Sequence, residues 1–215
     1  MTAELDDILT PQPAHRIVTG TVRTATEDVA LVDLPDGRTA KLPVTEFYPN
    51  RTWEEGARYH LALVDDNRNR PLVSAAHPDL IAMLLDGHAP EVRDGRVRVM
   101  GSARRVGIRS KVAVAATEEG VDPVGACLGR AAVRVKTITA LLLGERVDIV
   151  AYHPDPVQYA INALAVRPLE TAEGDSGELR VVVPEHQLAA AKGGGSLNVT
   201  LASHLVGRHL DIVGG

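Results

Sequence analysis

The sequence predicts a mixed α+β chain of several domains, a small all-β barrel followed by two copies of one α/β unit. Three observations predict it. Residues 104–150 and residues 178–213 each run strand, short helix, glycine-led turn, longer helix, strand. Their tails are near copies, GERVDIV at 144–150 and GRHLDIV at 207–213, with Asp148 and Asp211 at matching places. Before residue 77 the pattern is instead short apolar runs broken by turn residues, with no helix of length. A long period seen twice means two tandem copies of one domain and not a solenoid.

Composition sets the bounds. The chain has 215 residues, 45% of them hydrophobic but only 3% aromatic, so its cores are built from Val, Leu, Ile and Ala. Small aliphatic cores suit several small domains. A single cysteine, Cys127, excludes an internal disulfide framework and fits a reducing cytoplasm. No apolar run approaches the ~20 residues that span a bilayer, and the start, MTAELDDIL, is acidic where a signal peptide is basic. The expected location is therefore cytoplasmic, with no membrane partner. Net charge is −5, which is poor for a generic nucleic-acid binder, so its distribution matters more. Residues 1–90 carry 8 Lys/Arg against 14 Asp/Glu, residues 91–150 carry 11 against 7, and residues 151–215 carry 4 against 7. Only the middle segment is basic.

In chain order, residues 1–14 are polar, acidic and proline-bearing, and read as a flexible arm. Residues 15–76 give the barrel: IVTGTVRTA, DVALVDL, the Pro35-Asp36-Gly37 turn, RTAKLP and RYHLALVD. Asp-Gly between two apolar runs is a strong hairpin signal. Five short strands in ~60 residues fit a closed barrel of the OB type, which commonly binds single strands through stacked aromatics. Phe47, Tyr48, Trp53 and Tyr59 are the candidates, but they do not alternate along one strand as a platform would, and core packing is the alternative. His77-Pro78-Asp79 then opens a helix, LIAMLLDG, whose Leu80, Ile81, Leu84 and Leu85 share a face, and Gly87 and Pro90 stop it.

The first α/β unit, residues 77–153 with its connecting helix, has a strand at 109–115, a short helix opened by Asp122-Pro123, the turn Gly129-Arg130-Ala131-Ala132, a longer helix and a strand at 146–150. The second, residues 154–215, repeats this around Gly193-Gly194-Gly195-Ser196. That order on a small sheet is the core of a KH domain, here of the bacterial (type II) kind. A KH domain grips about four nucleotides of single-stranded nucleic acid, with a Gly-x-x-Gly turn against the backbone.

Read together, HRIVTGTV, SAAHPDLIAMLL, SKVAVA, GVDPVGACLG, GERVDIV, DPVQYAINAL, VVVPEHQLAAA and LNVTLASHLVGRHLDIV resemble the NusA family of bacterial transcription factors over roughly residues 15–213. VDPVGAC beside RSKVAV is the most specific part. The resemblance implies an RNA-binding rod that acts on elongation, termination and antitermination, with single-stranded RNA as partner and RNA polymerase or other transcription factors as further ones. Family members usually begin with a further polymerase-holding domain, and here the barrel starts by about residue 15.

The turns depart from the family pattern. Ala132 and Ser196 stand where the final glycine is expected, the second turn lacks the arginines expected inside it, and Thr200 stands where arginine is frequent. A glycine there takes positive φ freely and lets a phosphate approach without a Cβ in the way. An alanine or serine adds a methyl-sized obstacle and, if φ is positive, roughly 1 kcal/mol of strain. The first unit keeps more positive charge. Its candidate RNA residues are Arg104, Arg105, Arg109 and Lys111 around the strand, Gly129, Arg130, Ala131 and Ala132 in the turn, and Arg134 and Lys136 after it. The second unit offers Lys192, Gly193, Gly194, Gly195, Ser196 and Asn198, and reads as a packed spacer or protein-contacting domain rather than a good clamp.

Catalytic constellations are thin. Cys127 reads as a buried structural thiol. His153 and Asp155 flank Pro154 and read as a linker turn, not an acid/base pair. The histidines lack metal-site spacing, and neither glycine turn ends in the Gly-Lys-Ser/Thr of a phosphate loop. No cofactor is called for and no enzyme is expected. Three readings stay open: a NusA-like RNA-binding regulator, a KH scaffold turned protein-interaction module, and an enzyme recruited to specialised metabolism.

Overall fold

The computed structural model describes residues 16–215 except 50, 67, 175 and 176, so the expected arm at 1–14 lies outside the described residues. Strands β1 (Ile17–Ala25), β2 (Val29–Asp33), β3 (Thr39–Pro43), β4 (Arg58–Asp65) and β5 (Leu72–Ser74) close into a barrel in the order β1-β2-β3-β5-β4. Alternation builds it. Ala30 and Val32, Ala40 and Leu42, and Leu61 and Leu63 point inward from three strands and are buried. At Gly20 a Cβ would lie 2.2 Å from Val32 Cγ1, so only glycine fits where β1 and β2 press together. The Asp36-Gly37 turn joins β2 to β3 as the sequence predicts, with Leu34 N–H donating to the Arg38 carbonyl.

The aromatics pack inside the barrel. Phe47 stacks on Trp53 at 4.3 Å and meets Tyr48 and Tyr59 edge-on, and Phe47, Tyr48 and Tyr59 are all buried. They are core and not a stacking platform.

Helix α1 (Leu80–His88) and the short α2 (Pro90–Arg93) lead into β6 (Val97–Arg105), β7 (Arg109–Ala116), α3 (Pro123–Leu128), α4 (Val133–Leu141) and β8 (Arg146–Ala151). Then α5 (Pro156–Leu164), β9 (Glu170–Glu173), β10 (Leu179–Val183), α6 (Glu185–Lys192), α7 (Leu197–Val206) and β11 (Leu210–Gly214) run in the same order. The sheets match too. In each the central strand pairs antiparallel with the strand before it and parallel with the strand that closes the unit, β6-β7-β8 and β9-β10-β11.

The central strand β7 is apolar on both faces because both are covered. Val112 and Val114 face α1, α3 and α4 in a core with Leu80, Leu84, Cys127 and Ile138. Ala113, with Met100 and Val150, faces the second unit's Tyr159, Ala160 and Ala202, in a core that continues to Val181 and Ile212. The two units therefore share one buried layer through the first sheet.

Candidate nucleic-acid interface

The two turns are conformational copies. Gly129 has φ 70° and ψ 173°, Ala131 φ 52° and ψ 29°, and Ala132 φ 58° and ψ 29°. Gly193 has φ 72° and ψ 166°, Gly195 φ 58° and ψ 29°, and Ser196 φ 60° and ψ 17°. Two successive left-handed residues follow the leading glycine in each, the conformation that glycine adopts without strain. Ala131, Ala132 and Ser196 hold it at roughly 1 kcal/mol each, so the rest of the unit must impose it.

What imposes it is a pair of clamps at equivalent places. Asp122 caps α3, accepting from the N–H groups of Val124 and Gly125, and Pro123 fills the first helical position. From α4, the Arg134 guanidinium reaches back to the Ala126 carbonyl and to Glu91, 2.6 Å away. From α7, the Asn198 amide donates to the carbonyls of Ala191, at 2.9 Å, and Leu164, at 3.1 Å. Both side chains lie under the leading glycine: a Cβ on Gly129 would come within 2.7 Å of Arg134 Cγ, and one on Gly193 within 2.9 Å of Asn198 Cβ. Each clamp thus fixes the angle between the two helices and reserves the space above for backbone.

Three of the predicted site residues are corrected by their surroundings. Arg104, whose side chain is 3% exposed, forks onto Glu145 at 2.8 and 2.9 Å and donates to the His77 carbonyl. Lys111, 1% exposed, is paired with Asp148 at 3.2 Å. Asn198 is buried as the second clamp. All three side chains are taken up by partners within the fold. Sequence reasoning missed this because the carboxylate partners lie 35 or more positions away along the chain. Glu145 also accepts from Gly107 N–H and from Ser110 Oγ at 2.5 Å, so the buried carboxylate is fully partnered beside the barrel. Burial pushes the neighbouring Tyr48 hydroxyl up to about 12, against the pull of Arg104.

Arg134 is half-buried and held by its clamp, whereas Arg130, Ala131 and Lys136 are exposed. Lys136 Nζ donates to the Ala131 carbonyl at 3.1 Å, keeping a cation against the turn. Arg105 is exposed as well, but it and Arg109 lie on the sheet face turned away from α3 and α4. In the second unit Gly194, Gly195 and Ser196 are exposed and Lys192 half-buried.

Beside the second turn lies an open cleft of about 810 Å3, lined among others by Lys192, Ser196, Thr200, His204, Arg208 and Asp211. It is walled by α7 on one side and the start of β11 on the other. Sequence reading passed over His204, Arg208 and His209, although the signal was present in the repeated tail that contains two of them. Arg208 is partly engaged by Glu173. The second unit thus offers an open trough along its longer helix.

The remaining candidates for chemistry are structural. Cys127 is buried, and burial raises its thiol to about 11. His153 Nδ1 accepts from Asp155 N–H while Asp155 caps α5. Among the described residues no group of three or more His, Cys, Asp or Glu could hold a metal ion, and no helix is long and apolar enough to cross a membrane.

Comparison with known proteins bears on the same region. The family described as the NusA-like first KH domain matches residues 75–152. The transcription termination/antitermination protein NusA of Halalkalibacterium halodurans is 37% identical over 202 residues, covering 91% of this chain and 53% of the relative. That of Mycobacterium tuberculosis is 36% identical over 180 residues, covering 80% and 52%. That of Thermus thermophilus is 37% identical over 199 residues, covering 89% and 51%. The chain spans about half the length of the curated relatives it matches.

Proposed function

From a chain that is NusA-like along nine-tenths of its length, we propose an RNA-binding regulator of transcription elongation and termination that grips single-stranded RNA through both glycine-led turns. The observation that carries the proposal is the shared backbone of the two turns, held in the left-handed region even where the residues are Ala131, Ala132 and Ser196. Retaining a strained loop that glycine alone favours is expected where the loop's shape has a use.

In this reading the barrel is of the OB type, as its strand order supports, and residues 154–215 are a second KH domain. The phosphate chain lies over Gly129 to Ala132, with Arg130 and Lys136 as its cations. It continues into the cleft of the second unit, where Lys192, Arg208 and the hydroxyls of Ser196 and Thr200 offer charge and hydrogen bonds. Each cation that replaces a counterion adds a salt-dependent increment to affinity. RNA polymerase or other transcription factors are the protein partners this reading carries, and the cytoplasm is its location.

A second reading, a KH scaffold used as a protein-interaction module, draws on the methyl groups of Ala131 and Ala132 in the turn. Titration of short single-stranded RNA at two salt concentrations separates the two. The proposal expects a Kd on the order of micromolar at low salt, weaker at high salt, and loss on Arg130→Asp with Lys136→Asp. No detectable binding at low salt would overturn it in favour of the interaction module.

A further inference from the structure

On the sheet face turned away from the first turn, three arginines stand in one row. Arg105 on β6 is the cross-strand partner of Arg109 on β7, and Arg109 is the partner of Arg146 on β8. Paired residues on neighbouring strands share a face, and like charges placed directly opposite one another repel. The row therefore works against the sheet that carries it.

One carboxylate answers it. Asp148 accepts from Arg109 at 2.6 and 2.7 Å, from Lys111 at 3.2 Å and from Arg146 at 3.1 Å. Arg105 has no side-chain partner among the described residues, and Arg146 is 70% exposed. Three cations thus share one anion, and a fourth stands beside them unpaired among the described residues. Burial lowers the Lys111 pKa, Asp148 works against that, and Arg109 and Arg146 add to the lowering.

We infer that this row is a second phosphate-binding surface, which holds a further segment of the same RNA after it leaves the first turn. The inference rests on the RNA-binding reading above. Guanidinium forks match phosphate oxygens, and three of them across two strand spacings cover roughly 10 Å. The path is continuous. Helix α4 follows the turn and packs on β8, β8 is the edge strand of its sheet, and Arg146 opens β8. A chain leaving Arg130 along α4 meets Arg146 at that edge and crosses to Arg109 and Arg105. Arg105 is unpaired among the described residues and Arg146, held to Asp148 through Nε alone, is 70% exposed, so both ends of the row can meet a phosphate while Arg109 and Asp148 stay paired beneath.

The test uses the whole chain, labelled oligo-U of two lengths and fluorescence anisotropy at several salt concentrations. A six-nucleotide probe is little longer than the four a turn groove holds, and a twenty-four-nucleotide probe reaches further. The double variant Arg105→Glu with Arg146→Glu, both exposed, is expected to weaken the long probe on the order of tenfold and to flatten its salt slope by about 1.4, at ~0.7 per contact. The short probe should change by less than about twofold. Equal affinity and slope for the long probe in variant and parent would overturn the inference, as would equal losses for both probes, which a general loss of positive field would give. Displacement of the row's function to poly-glutamate binding, with RNA unaffected, would assign the row to an acidic protein and also overturn it. Failure of the parent to bind the short probe would instead count against the turn reading, and the long probe would still report on the row.

Discussion

Replacing Glu145 by alanine should unfold this protein more readily than any change at the turns. Its carboxylate is fully buried and accepts four hydrogen bonds, two from Arg104, one from Gly107 N–H and one from Ser110 Oγ. Removing it leaves the Arg104 guanidinium, 3% exposed, without a counter-ion. Breaking a buried pair by taking away one partner costs about 3–5 kcal/mol. Arg104→Met should likewise be costly, since Glu145 keeps its charge with only two donors left. The double variant Arg104→Met with Glu145→Ala removes both charges but still orphans the Gly107 and Ser110 donors, at about 1–2 kcal/mol each. It should therefore be less destabilised than the sum of the single variants by at least about 2 kcal/mol. Urea unfolding of the four proteins gives the cycle. Single variants within about 1 kcal/mol of the parent, or additivity within ~0.5 kcal/mol, would refute the view that this carboxylate locks the first unit beside the barrel.

Other consequences follow from the same contacts. Gly129→Ala forces φ near 70° on a residue with a Cβ and drives that Cβ into Arg134 Cγ, so it should cost about 2 kcal/mol in urea unfolding and weaken RNA binding. For Asp148, burial works to raise the pKa, but Lys111 and Arg109 outweigh it and hold the carboxyl below its usual value. Its contribution is then complete above the unfolded pKa of ~3.9 and is lost as pH falls through the lower folded value. Asp148→Asn should accordingly lower stability at neutral pH and flatten the stability profile below about pH 4. The Cys127 thiol, raised to about 11, should resist thiol reagents at neutral pH in the native protein and react only at the rate of unfolding in denaturant.

Much of the fold was written in local pattern. The expected strands at 17–25 and 58–65 and the helices at 185–192 and 197–206 coincide with β1, β4, α6 and α7, because apolar periodicity and glycine stops declare such elements without tertiary help. Strand β5 has three residues and owes its conformation to the barrel it closes. Strand β6, VRVMGSARR, mixes arginines with a bulge near Gly101 and shows no clean alternation. Helix α5 hid behind His153-Pro154-Asp155, which reads as a linker turn, although Asp155 serves as the helix cap.

The site was legible in a different way. The two turns could be located from glycine and from the repeat, but the basic residues around the first could not be sorted. Arg104 and Arg105, or Ser110 and Lys111, are adjacent in sequence and point to opposite faces of a sheet. One member of the group is buried by Glu145, another by Asp148, and a third is left outside. Only the pairing of strands tells them apart. The cleft beside the second turn was missed because charge counts favoured the first unit, and a groove is a property of shape that composition does not carry.

A phosphate chain lying against both turns is the central expectation. Amide chemical shifts of the labelled protein, followed while a short single-stranded RNA is added, test this most directly. The expected result is a set of shifts at Gly129 to Ala132 and Gly193 to Ser196, spreading to Thr200, His204 and Arg208 and shrinking as salt is raised. Shifts confined to the barrel, or none at either turn at low salt, would contradict it.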